Sequence, residues 1–248
     1  MSDLHGKTVL VIGASRGLGR GIALAFADAG ASVVAVARTG SALAELAAGG
    51  ANIRTEIADA SDEAAAKSLI DRCEPDVLIL VAGATPGMHP LQQQTWESFS
   101  INWHADVKIA FTWLREALLK PLPRGSRVAV MSSGAALFGS PASGGYAGAK
   151  ATQRFIAGYA QEESNRAGLD ITFTAVLPRM TPLGDVGMAG VRAYAARTGQ
   201  TEEAYISEMG ELLTPEKAGS ALVDLVRADS ATIASGYMLT AAGLQEVR

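Results

Sequence analysis

Short apolar runs rich in β-branched residues recur along this chain, and a stretch of helical pattern separates each from the next. The runs are KTVLVI (7-12), SVVAVA (32-37), NIRTEI (52-57), DVLILV (76-81), SRVAVMS (126-132), DITFTAVL (170-177) and GYMLT (236-240). Several are apolar nearly throughout, as strands covered on both faces must be. Between them the pattern predicts helices near 17-29, 41-48, 61-72, 95-119, 145-167 and 215-227. The last opens with Thr214 as N-cap and Pro215 at the first helical position. Such alternation predicts an α/β fold: a doubly wound parallel sheet in a three-layer α/β/α sandwich. Nothing in the pattern marks a linker or repeat, so a single domain over 1-248 is expected.

Composition removes several function classes. The chain has 248 residues, 48% hydrophobic and 19% charged, with a formal net charge of -4 and no Lys/Arg block. That excludes a nucleic-acid footprint. His5, His89 and His104 are widely spaced, which gives a metal site no support. The single cysteine, Cys73, reads as a packed thiol with no internal disulfide to form. The start MSDLHGK lacks a charged region followed by an apolar one, and no apolar run would span a bilayer. A cytoplasmic protein without membrane contact is the expectation.

The first strand runs into GASRGLG, with Gly13, Gly17 and Gly19 flanking Ser15, Arg16 and Leu18. Glycines at a strand-to-helix turn let backbone approach a pyrophosphate, which amides at the helix N-terminus can bind. The spacing differs from the commoner GxGxxG fingerprint, yet its place after the first strand gives it weight. An NAD site would show an acid about 20 residues on, for the ribose 2′-hydroxyl. No Asp or Glu occurs from Ala31 to Ala44; Arg38 stands there, and Arg16 lies within the turn. Guanidinium groups suit a 2′-phosphate, so NADP(H) is the expected cofactor.

YAGAK, residues Tyr146 to Lys150, puts a phenol and an ammonium four positions apart, on one helix face. Bringing a tyrosine from about 10 to about 7 takes roughly 4 kcal/mol. A unit charge about 4 Å away supplies about that much at an effective dielectric of about 20. The pair therefore suits proton transfer near neutral pH. Two segments that follow strands, 83-94 and 178-211, are rich in Gly and Pro and are candidate walls of a substrate pocket, since ligands bind beyond strand carboxyl ends.

Taken together, GASRGLG, SSG at 132-134 and YAGAK at 146-150 resemble the short-chain dehydrogenase/reductase family in its short, single-domain branch, a Rossmann-type fold. The similarity runs from LHGKTVLVIGASRGLG to GYMLTAAG. The resemblance implies that Tyr146 is the proton donor and acceptor. Lys150 would be the lysine that supports the phenolate and binds the nicotinamide ribose. Ser133, with Ser132 as its neighbouring runner-up, would bind the carbonyl, and Asn102 would hold a water of the proton relay. Asp59 would contact the adenine, Ala82 and Gly83 would pass the adenosine side, and Pro178 and Thr181 would lie by the nicotinamide. The chain also departs from the family pattern. Ile12 replaces a common threonine, and Leu80 and Val81 replace two asparagines thought to brace the sheet. Arg179 stands where glycine is usual, facing either an anionic substrate or solvent.

The implied reaction is NADP(H)-dependent interconversion of a carbonyl and a secondary alcohol, in the reducing direction, on a small-molecule substrate. A homotetramer or homodimer through the helices at 95-119 and 145-167 is implied too. One alternative is a catalytically silent dinucleotide-binding sensor or assembly protein, against which the intact Asn102, Ser133, Tyr146 and Lys150 speak. Another, nucleotide-sugar dehydration or epimerisation, needs a further substrate domain for which this chain has no room.

Overall fold

The computed structural model describes residues 4-50 and 52-247. Both ends of the domain drawn from the sequence, and residues 1-3 of the segment read for a leader, lie outside them. In the first half, β1 (Thr8–Ile12), α1 (Gly17–Asp28), β2 (Ser32–Ala37), α2 (Gly40–Ala48), β3 (Ile53–Ile57), α3 (Glu63–Cys73) and β4 (Val77–Leu80) alternate as expected. The long helix expected over 95-119 is three pieces: α4 (Trp96–Asn102), a π turn (Trp103–Val107) and α5 (Lys108–Leu119). There follow β5 (Arg127–Met131), a short α6 (Ala135–Phe138), α7 (Tyr146–Ala167) and β6 (Thr172–Pro178). Last come α8 (Asp185–Thr198), α9 (Glu202–Glu208), α10 (Pro215–Arg227), β7 (Gly236–Thr240) and β8 (Gly243–Glu246).

The strands form one eight-stranded sheet in the order β3-β2-β1-β4-β5-β6-β7-β8. Pairing is parallel up to β7, while β8 returns antiparallel along that edge, a hairpin that the sequence reading did not include. The run Val9 to Ile12 is wholly buried because alternate side chains enter two different cores. Val9 and Val11 pack with Ile22 and Phe26 of α1 and Leu222 of α10. Leu10 and Ile12 pack with Leu69 of α3 and Ile109 and Trp113 of α5 on the opposite face. Trp113 is fully buried, and its indole N–H donates to the Ala60 carbonyl over 2.9 Å. The three-layer α/β/α expectation holds.

Chain order reverses between β1 and β4, and the carboxyl ends of strands at such a reversal are where α/β sheets place ligands. Leu80 and Val81, read as the loss of two bracing asparagines, are apolar packing instead: Leu80 joins the α3 and α5 core and Val81 the α1 side. The segment 178-211 is also not a loop throughout, since it holds α8 and α9.

Candidate active site

The glycine turn lies at that reversal point. Gly13 has φ +97°, and a Cβ there would stand 2.6 Å from the Ala82 nitrogen, so the turn and the end of β4 touch as backbones. Gly17 opens α1 at φ +52°, and a Cβ on Gly19 would lie 2.1 Å from the Gly13 carbonyl oxygen. The N-cap of α1, Arg16, makes no side-chain cap, and no acid stands in the first turn. Its leading amides and positive dipole end thus suit an anion. Ser15 and Leu18 are partly buried in the same turn.

Arg38 follows the last residue of β2 and is exposed, beside the turn through Gly13 and Ala14, whose amides donate to the Val36 carbonyl. Arg16 pairs with Asp185, the first residue of α8, at 2.6 Å; both side chains are more than half exposed, so the pair is weak. Asp59 accepts from the backbone and hydroxyl of Ser61. These bonds hold its carboxyl below the ordinary range, with Arg38 assisting by charge.

Tyr146 and Lys150 come together as their spacing requires, on the first turns of α7. The Lys150 amine lies 5.6 Å from the centre of the Tyr146 ring. Lys150 is buried whereas Tyr146 is partly open. The two serines after β5 part company. The Ser132 hydroxyl is buried and donates to the Lys150 carbonyl over 2.7 Å, tying β5 to α7. Ser133 is partly open, and its hydroxyl accepts from the Ala135 amide at the start of α6. Asn102 ends α4 in full burial, and its amide donates to the Ala84 carbonyl over 2.8 Å.

A residue the sequence reading passed over stands at the middle of this group. Asp106, in the π turn, is 1% exposed. Its Oδ1 accepts from the Ala84 amide at 2.8 Å and the Asn102 amide at 3.2 Å. Its Oδ2 lies 3.0 Å from Lys150 Nζ and has no other partner among the described residues. A Cβ on Gly83 would come within 2.8 Å of the same carboxylate. The Lys150 amine also donates to the Met131 carbonyl at 3.1 Å. Burial pulls the Lys150 amine down, but the charges of Asp106 and Tyr146 outweigh it and leave it above the usual lysine range. A signal existed: Asp106 shares a helical stripe with buried Ile109, Ala110 and Trp113, where an acid is out of place unless paired.

Specific contacts hold both Gly/Pro-rich segments that are expected to wall a pocket. Gln94 donates to the carbonyls of Gly87 and His89, and His89 forms a parallel bridge with Ser143 just before α7. On the other side, the Pro178 carbonyl accepts from Gly134. Thr181 is buried beneath α8, where a Cβ on Gly187 would lie 1.7 Å from its carbonyl oxygen. The Tyr194 hydroxyl of α8 shares a 2.7 Å hydrogen bond with Ser140. Arg179 is exposed. Among the described residues, no acid, histidine and cysteine cluster could hold a metal, and no helix is long and apolar enough to cross a membrane.

The model of the family described as short chain dehydrogenase matches residues 7-196. A short chain dehydrogenase/reductase of Colletotrichum higginsianum is 34% identical over 162 residues, 60% of each chain. D-erythrulose reductase of Gallus gallus is 30% identical over 125 residues, 49% of this chain and 51% of the relative. L-xylulose reductase of Mesocricetus auratus is 26% identical over 168 residues, 68% and 63% of the two chains. The matches thus span about half to two thirds of these relatives' lengths. A crystal structure of a short chain dehydrogenase from Mycobacterium avium superposes with a TM-score of 0.78 at 22% identity, covering 100% of this chain and 87% of that one. At that identity the likeness speaks to the fold.

Proposed function

The chain belongs to the short-chain dehydrogenase/reductase family, whose members use nicotinamide dinucleotides, and on that footing we propose that it is an NADP(H)-dependent reductase of a small carbonyl compound. The observation that carries this reading is the Tyr146 and Lys150 pair on α7, with the buried amine 5.6 Å from the phenol ring, at the sheet end that also carries the glycine turn. The cradle fits a dinucleotide: backbone meets backbone at Gly13 and Ala82, and the α1 N-terminus carries neither a cap nor an acid.

In this reading Gly13, Ser15, Arg16, Gly17, Leu18 and Gly19 hold the pyrophosphate, and Arg38 with Arg16 meets the 2′-phosphate. Asp59, Ala82 and Gly83 line the adenosine side, and Pro178 and Thr181 the nicotinamide side. When bound, the nicotinamide supplies the hydride. Ser133 orients the carbonyl oxygen, Tyr146 donates the proton, and Lys150 stabilises the phenolate left behind. Asn102 orders the water that returns the proton. Ser132, committed to the Lys150 carbonyl, is the less suited of the two serines for substrate. Relatives named for erythrulose and xylulose reduction make short ketoses the first substrates to test.

Exposed Phe111 on α5 and Phe155 and Tyr159 on α7 support assembly as a homotetramer or homodimer through those helices. A cytoplasmic setting is part of the same reading. The functional test follows NADPH oxidation against a panel of ketones and ketoses. Turnover with at least one carbonyl is expected, and Tyr146→Phe should lower it by about a hundredfold or more while NADPH still binds. Tight NADPH binding with no carbonyl reduced would instead favour a silent sensor.

A further inference from the structure

A buried ion pair is costly to assemble, because both charges leave water, and it adds little stability over an apolar pair of the same shape. The pair of Lys150 and Asp106, with side chains 6% and 1% exposed, therefore calls for a role other than holding the fold. Four parts of the chain meet at this residue. Asp106 is presented by the π turn, a local irregularity that concentrates at functional sites. Asn102 of α4 and the Ala84 amide after β4 fix its Oδ1. Gly83 leaves room for it where a side chain would collide. Lys150 of α7 meets Oδ2, and Gln153, one turn on, donates to the Asp106 carbonyl over 2.9 Å.

We propose that Asp106 is a positioning residue: its carboxylate tethers the Lys150 ammonium at the junction of β4, β5 and α7, and so sets where that charge stands relative to the Tyr146 ring. The idea rests on the reading of Tyr146 and Lys150 given above and deepens it. Among the described residues, the groups facing the Lys150 amine are the carboxylate of Asp106 from the π turn, the phenol of Tyr146 from its own helix, and the neutral carbonyl of Met131 from β5. Asp106 is the one full negative charge among them. With it removed, only Tyr146 is left to oppose the pull of burial on the amine. Lys150 then gives up its proton at lower pH or leaves the site. The same tether occupies Oδ1 with Asn102, so the relay asparagine and the lysine are held by the two oxygens of one carboxylate.

The test measures NADPH binding by fluorescence from about pH 7 to about pH 9.5, for wild type, Asp106→Asn and Lys150→Met. The wild-type affinity should stay nearly level, because its amine remains charged throughout. Asp106→Asn should lose about tenfold more affinity at the alkaline end than at neutrality, since the charged fraction of an amine falls about tenfold for each pH unit beyond its own midpoint. Lys150→Met should bind weakly at every pH with no added slope, which separates loss of the charge from general loosening. A slope for Asp106→Asn parallel to that of wild type overturns the proposal. If wild type binds neither NADPH nor NADH, the cofactor reading fails and takes this one with it.

Should Asp106→Asn not fold, thermal unfolding of Lys150→Met is compared with that of Asp106→Asn/Lys150→Met. A tether predicts that the double variant is the more stable, since the lone buried carboxylate has gone. The reverse order overturns it.

Discussion

Arg38 presents an exposed guanidinium at the carboxyl end of β2, and no acid from Ala31 to Ala44 competes for the same position. Its partner in the proposed clasp, Arg16, is shared with Asp185, so Arg38 should carry most of the cofactor preference. Arg38→Asp is expected to weaken NADPH binding by roughly tenfold to a hundredfold, the range for a charge-assisted hydrogen bond, and to leave NADH binding unchanged or better. Paired titrations with the two cofactors measure it, and an unaltered NADPH affinity would remove Arg38 from the site. At this scale the sequence was legible wherever chemistry depends on spacing. Tyr146 and Lys150 share a face because helices repeat every 3.6 residues. The resemblance favours Ser133, 13 positions before Tyr146, over its neighbour Ser132, but spacing does not tell what each hydroxyl meets, since adjacent residues leave a strand end in different directions. Only the packing of α7 against β5 directs one hydroxyl to the Lys150 carbonyl.

Glycines within helices show how one substitution takes opposite signs in different elements. A Cβ on Gly21 of α1 would stand 2.3 Å from the Pro215 carbonyl oxygen, where α1 crosses α10, whereas Gly158 of α7 has open space around it. Gly21→Ala should therefore cost about 1-3 kcal/mol through overpacking. Gly158→Ala should gain about 0.5-1 kcal/mol by removing a flexible residue from a helix interior. Denaturant unfolding of both variants checks the pair, and equal signs would contradict the geometry. The same reasoning explains α8, which the sequence presented as a Gly- and Pro-rich wall. Gly187 lets this helix sit directly on the Thr181 carbonyl, so a residue that weakens helical pattern marks close packing here. Likewise the apolar periodicity over 95-119 runs on past Asn102, and nothing in it announces the π turn that delivers Asp106.

The molecule as a whole ties its site to its stability through Lys150, whose amine is held above the ordinary lysine value of 10.5. A basic group raised on folding stabilises the native state below its unfolded value and loses that contribution as pH rises through the folded one. The stability difference between wild type and Lys150→Met should thus be constant from neutral pH to about 10.5 and shift against wild type above it. Urea unfolding at a series of pH values measures this, and a difference independent of alkaline pH would refute it. By itself the sequence determined the layered α/β architecture, the glycine turn and the Tyr146 and Lys150 spacing, because strand burial, backbone freedom and helical repeat are written in neighbouring residues. The tertiary structure alone decided that β8 extends the sheet beyond β7, that Arg16 meets Asp185, and that Asp106 is what the buried Lys150 amine finds. The physical reason is that a charge taken out of water must be answered by whatever group folding brings within about 3-4 Å, and no local pattern records which group that will be.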